Sequence, residues 1–220
     1  MQSVLEHAFA TALREPVRVR AAGRTDAGVH AAGQVVAVPV TRVPDDLDRL
    51  LRSVNALTPD DVAIRSLSVV DDDFDPRRQA RARRYEYRIS TSRTPSAFGH
   101  RYVWHHPRAL DVPAMDAAVA LLLGEHDFLG FCAADADPVL STVRRVLVSE
   151  IERDHDQLVY RIEATAFLKH MVRNIVGTLV EIGRGERAPG AMRQILESRD
   201  RRRAGRTAPA KGLTLVAVRY

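Results

Sequence analysis

Between two apolar runs of strand-forming residues, Val17–Ala21 and Val35–Val40, the chain places AAGRTDAGVHAAGQ, Ala21 to Gln34. This stretch holds three glycines and a single carboxylate, Asp26, together with Arg24, Thr25 and His30. Glycine tolerates positive φ and has no Cβ to block approach, so such a loop lets backbone come close to something large while keeping one acid in its midst. An isolated Asp-Ala-Gly would read as a turn and nothing more. The whole run, framed by strands, reads as a site.

The flanking chain has a clear periodic grammar. Ser3–Leu13 repeats apolar residues at helical spacing with Ser3 placed to cap, and Asp46–Leu57 does so through Leu47, Leu50, Leu51, Val54 and Leu57 before Thr58-Pro59 ends it. A strand is expected over 62–70. From Arg77 to Ser90 the residues Tyr85, Tyr87 and Ile89 alternate with Arg84, Glu86 and Arg88, a strand with one basic face. Thr94-Pro95 interrupts both patterns and marks the expected junction between domains 1–94 and 95–220. Beyond it we expect a helix over 112–123 capped by Asp111, strands over 142–152 and 157–166, helices over 168–183 and 191–197, and a last strand over 213–219. Helices and strands in this order give an α+β fold.

Within helix 168–183, Leu168, Val172, Ile175, Val176, Leu179 and Ile182 make a core stripe, while Lys169, Arg173 and Gly177 recur every four residues on another face. Gly177 leaves room for another segment to approach that face; the plainer alternative is a solvated helix flank. On the strand, either Tyr85 or Tyr87 could stack on a base and offer a hydroxyl, and either could simply pack in the core.

Charge narrows the partner. Net charge is only +5, yet Arg77–Arg101 holds eight Arg against one Glu, and a second cluster runs through Arg199, Arg201, Arg202, Arg203, Arg206 and Lys211. Only Lys169 and Lys211 are lysines, so 31 of the 33 basic residues are Arg, the side chain suited to forked phosphate contacts. These clusters point to a polyanion. The single Cys132 excludes an internal disulfide and a Cys-cluster metal site. No apolar run approaches ~18 residues and no leader pattern occurs, which gives a cytoplasmic expectation with no membrane partner. No P-loop or dinucleotide fingerprint is present, so no nucleotide cofactor is expected.

GRTDAGVHA closely resembles the catalytic loop of the tRNA pseudouridine synthase A family. RRYEY at Arg83–Tyr87, FLKHMVRNIVG at Phe167–Gly177 and KGLTLVAV at Lys211–Val218 resemble that family's other motifs in the same order. The resemblance implies the pseudouridine synthase fold, two ferredoxin-like halves with mainly antiparallel sheets, outer helices and an active-site cleft between the halves. It implies isomerisation of uridine to pseudouridine in the anticodon arm of tRNA, at positions 38–40, by a homodimer that needs no cofactor and no metal. Asp26 matches the essential carboxylate and Arg173 the Arg that pairs with it; an opposite charge within ~4 to 6 Å favours the ionised acid and fixes its direction. The two should lie within salt-bridge reach. Tyr85, rather than Tyr87, matches the active-site aromatic, Leu213 matches a pocket residue, and Arg24 matches the residue that enters the RNA to help extrude the target base. Phe74, Arg77, Arg78 and Arg83 are expected to contact RNA, as are Arg84, Lys169 and His170.

Two departures from the family bear on this reading. Its first strand, with Tyr-Asp-Gly and Gly-Trp-Gln signatures, is missing here, so the first-half sheet is expected to lack a neighbour and an extended form to be more stable and active. The stretch 133–140, AADADPVL, is acidic and apolar where relatives are polar or basic. Two other readings remain, a non-catalytic RNA-binding remnant of the same fold and a metal-dependent hydrolase using Asp26 and His30.

Overall fold

We describe the protein from a computed structural model covering residues 1–136 and 141–220, so the second half of the 133–140 stretch lies outside the described residues. In chain order the first elements are α1 (Gln2–Leu13), β1 (Arg20–Ala21), β2 (His30–Ala31), β3 (Val36–Ala37), α2 (Leu47–Leu57), β4 (Ala82–Ser90) and β5 (Trp104–His105). Then follow α3 (Val112–Ala120), β6 (Gly124–Asp127), β7 (Val143–Asp154), β8 (Gln157–Ala164), α4 (Met171–Gly183), α5 (Ala191–Ser198) and β9 (Leu213–Arg219). The α+β class holds. The chain forms two units, Met1–Gly23 with Val35–Gln79, and Arg24–Gln34 with Ala80–Tyr220. Of the stretch 1–94, residues 24–34 and 80–94 thus fall in the second unit. Both the loop around Asp26 and all of β4 belong to the second unit, because β4 is a central strand of that unit's sheet.

In the first unit β1 and β3 pair antiparallel as a two-stranded ribbon, Arg20 opposite Ala37 and Ala21 opposite Val36. Its core gathers Phe9 and Ala8 of α1 around Val54 of α2, with Leu13, Val17, Val38, Leu50 and Ile64 packed on them. Asp46 caps α2 by accepting from the Arg49 amide at 2.7 Å. The segment 62–70 is not a strand: instead of a ladder, the Asn55 side chain receives it, donating to the Ile64 carbonyl (2.9 Å) and accepting from the Ile64 amide (2.7 Å). Apolar alternation alone does not supply the partner that a strand requires.

The second unit carries a sheet in the order β2-β9-β4-β8-β7-β6, with β5 also paired to β4. Four of the pairings are antiparallel; β2 runs parallel to β9 and β5 parallel to β4. Tyr87 and Ile89 of β4 enter a core with Ile162 and Tyr160 of β8, Met115 of α3 and Ile175 and Leu179 of α4. Asp111 caps α3 as expected, accepting from the Ala114 amide at 3.0 Å. β4 bulges between Arg84 and Tyr85 against β9. Helix α4 begins three residues later than its periodicity suggests, because His170 takes a left-handed conformation (φ 60°) and acts as the N-cap. Lys169 thereby leaves the helix and its side chain pairs with Asp135 at 2.9 Å, so it does not share a face with Arg173.

Candidate active site

The loop from Arg24 to Gln34 turns at once: the Val29 amide donates to the Asp26 carbonyl (3.0 Å), and Gly28 sits at φ +81°, a value that a side chain would strain. The loop then docks as β2 beside β9, with His30 opposite Thr214 and Ala31 opposite Leu215. The Ala32 amide extends this by donating to the Leu215 carbonyl at 2.9 Å. Two ends of a short turn are thus fixed, and Asp26 projects from it.

Arg173, the third residue of α4, donates from Nη1 to Asp26 Oδ2 at 2.7 Å across 147 positions of sequence. The pair is partly buried, the Arg173 side chain 16% exposed and that of Asp26 29%. His170 brings Nε2 to 3.4 Å from the same oxygen. A second bond orients Arg173, from Nε to the Ala208 carbonyl at 2.8 Å. A guanidinium fixed at two of its nitrogens presents its charge in one direction, which a point-like ammonium could not do.

Tyr85 packs edge-on against Phe167, ring centroids 5.0 Å apart, and joins the core margin together with Phe167. Burial pushes its phenol up to about 12, Arg83 opposing and the Asp26 charge adding to the rise, so the hydroxyl is neutral and able to donate at ordinary pH. Tyr87 is fully buried and donates to the Pro209 carbonyl at 2.7 Å; it belongs to the core. Leu213, 6% exposed, lies in the same core at the start of β9. Asp26, Arg173, His170, Tyr85, Phe167 and Leu213 all belong to the second unit.

The family model described as tRNA pseudouridine synthase matches residues 118–220. A tRNA pseudouridine synthase A of Myxococcus xanthus is 45% identical over 221 residues, covering 100% of this chain and 83% of the relative. The chain belongs to the tRNA pseudouridine synthase A family. The enzyme of that name from Methylobacterium nodulans is 44% identical with 100% and 86% coverage, and that of Anoxybacillus flavithermus 43% identical with 93% and 82%.

Set within this family, the other residues singled out from sequence divide. Arg24 is exposed on the loop, two residues before Asp26. Phe74, Arg77 and Arg78 belong to the first unit, where the Arg77 and Arg78 amides both donate to Asp75 Oδ1. Arg83 donates to the Ala80 and Thr165 carbonyls, and Arg84 spends its Nε on Glu163, a buried carboxylate that Arg219 also pairs. The cluster after residue 199 also divides: Arg199 pairs with Asp127 and Arg202 with Asp200, while Arg203, Arg206 and Lys211 are exposed. His30 directs Nε2 to the Arg101 carbonyl at 2.9 Å and lies against Tyr102. Among the described residues, no three His, Cys, Asp or Glu gather so as to hold a metal ion. No described helix is long and apolar enough to cross a membrane.

Sequence reasoning missed that His170 approaches Asp26; its left-handed turn, which no periodicity announces, delivers it there. It also missed Ala208, whose contribution is a backbone carbonyl and therefore has no residue-type signal. The one available hint was Asn174, an amide in the midst of an apolar helix and 0% exposed.

Proposed function

We propose that the chain isomerises uridine to pseudouridine in the anticodon stem-loop of tRNA, at positions 38–40, acting as a cytoplasmic homodimer without metal or cofactor. In this reaction the bond from uracil N1 to the sugar C1′ breaks and a bond from C5 to C1′ forms; C5 gives up its hydrogen as a proton and N1 gains one. No net oxidation occurs. Asp26 is the group that starts the exchange, by attack on sugar or base or by taking a sugar proton. Arg173 fixes the carboxylate's direction and supplies the opposing charge. Tyr85 holds the freed uracil with its ring and its neutral hydroxyl, Leu213 packs the pocket wall, and Arg24 fills the space the extruded base leaves. The exposed Arg203, Arg206 and Lys211, with Arg77 and Arg78, are suited to phosphate.

The observation that carries this reading is the 2.7 Å bond from Arg173 to Asp26 within a glycine-bounded loop of a family member. A tRNA transcript tritiated at uracil C5 tests it by release of label. Asp26→Asn is expected to cut release by ~10^3-fold or more while tRNA affinity stays within a few-fold. Turnover retained in that variant would overturn the assignment of Asp26. A wild-type chain that binds tRNA and releases nothing would identify the non-catalytic remnant instead.

A further inference from the structure

The segment 201–209 crosses α4 at very short range. A Cβ added at Gly177 would overlap the Arg206 carbonyl, and one at Gly205 would come within 2.8 Å of the Thr178 amide nitrogen and of Glu181 Oε1. Two sets of polar contacts hold this strap. On one side Glu181 accepts from the Arg206 amide (3.2 Å) and from Arg187 Nε (2.6 Å), and Arg187 Nη1 donates onward to the Arg203 carbonyl (2.7 Å). On the other side is a closed triangle. Asn174 Oδ1 accepts from Arg201 Nη2 (2.9 Å) and from the Thr207 hydroxyl (2.7 Å), and that hydroxyl accepts from Arg201 Nη2 at 3.1 Å.

The chemistry of the triangle is unusual for an arginine. Among the described residues, Arg201 bonds only to neutral acceptors: Asn174, Thr207 and the carbonyls of Ala204 (3.2 Å) and Gly205 (3.0 Å). Its partner Asn174 is fully buried and tied below by Nδ2 donating to the Phe131 carbonyl at 2.8 Å. A buried amide bonded at both its oxygen and its nitrogen favours one strap position, because a displaced strap would leave a polar atom unpaired. The residue that follows Thr207 is Ala208, whose amide donates to the Arg173 carbonyl (3.0 Å) and whose carbonyl accepts from Arg173 Nε (2.8 Å).

We propose that Asn174, Arg201 and Thr207 are positioning residues that set the Ala208 carbonyl and, through it, aim the Arg173 guanidinium at Asp26. The inference rests on the reading that Asp26 and Arg173 perform the isomerisation. An arginine side chain has many rotamers, and its Nη1 bond to Asp26 alone leaves the arm free to pivot. The second bond at Nε removes that freedom, and the triangle decides where the acceptor for it sits. Misplacement by an ångström at a reacting centre costs far more in rate than in stability.

Thr207→Val tests this, because it keeps the branched shape at an exposed position and deletes only the hydroxyl. Tritium release should show kcat down by about 10-fold with KM for tRNA within about two-fold, and Thr207→Ser should restore kcat. In an Arg173→Lys background, which has no Nε to engage Ala208, Thr207→Val should add no further loss. Hydrogen exchange at the Ala208 amide gives a reading independent of turnover, and should quicken in Thr207→Val and return to normal in Thr207→Ser. Unchanged kcat and exchange, or an equal loss in the Arg173→Lys background, would overturn the proposal. Persistent turnover in Asp26→Asn would instead overturn the reading of the site, whatever Thr207 does.

Discussion

The two units reach order by different means. The first has ribbon strands of two residues each and a core centred on Ala8, Phe9 and Val54. The second spreads a broad sheet beneath α3 and α4 and buries a continuous core from Tyr87 to Leu213. The chain splices residues 24–34 out of the first unit's sequence and into the second unit, between the strands of the small ribbon. The loop's chemistry thus resides with the deep core. Groups that must be held to a fraction of an ångström are best mounted on elements whose own rotamers are locked by packing.

Removing the keystone of the smaller core is the sharpest way to break this contrast. Phe9 is 2% exposed, and Phe9→Ala is expected to cost ~3–5 kcal/mol. Amide exchange should show protection lost over residues 1–23 and 35–79 while β4, β8 and α4 keep theirs. Simultaneous loss across both units would mean that they melt as one and the contrast has no energetic content.

Alkali should act on the other unit. Burial raises the phenols of Tyr85, Tyr87 and Tyr160, and the first unit contains no tyrosine at all. A phenol raised on folding contributes stability that is whole below pH ~10 and is lost as pH climbs through its folded value, here about 12 for Tyr85. Stability should then fall by roughly 1.4 kcal/mol per pH unit for each such phenol. Absorbance at 295 nm would follow the ionisation, and Tyr85→Phe should flatten the slope by one phenol's share. A slope unchanged by that substitution would show the Tyr85 hydroxyl to be open to water.

The smallest test is a matched pair. Asp46→Ala and Asp111→Ala each delete one helix cap, from α2 and α3 respectively, at ~1 kcal/mol. Equal costs should produce the larger loss of protection in the unit with less to spare, the first. The reverse outcome would assign the thinner margin to the sheet-bearing unit.

Much of the frame can be read directly from the residues, and the reasons differ by element. Helix α2 and strand β4 follow their apolar periods, and Gly177 announced the close passage that Arg206 makes. The site was readable only through motif resemblance, since nothing local in Asp26 or Arg173 tells either where the other is. The rest depended on partners. β2 is two residues long and exists because β9 lies beside it, so it has no period to detect. Segment 62–70 has the right alternation yet is met by one asparagine in place of a strand. The arginine run after residue 199 looked uniformly like a phosphate surface, whereas Arg201 turns to neutral acceptors and Arg199 and Arg202 to carboxylates. Composition tells how many charges a segment has, not which way each one points.

The parallel seam between β2 and β9 also bears on the order of synthesis. Asp26 leaves the ribosome early, whereas Arg173, the carbonyl of Ala208 and the strand that seats the loop are all translated late. Until β9 has emerged, the loop has no edge to rest on and its carboxylate has no guanidinium to face. Assembly of this arrangement is therefore a record that translation has passed residue 215, and a nascent chain stopped before that point carries Asp26 without the strand that seats its loop.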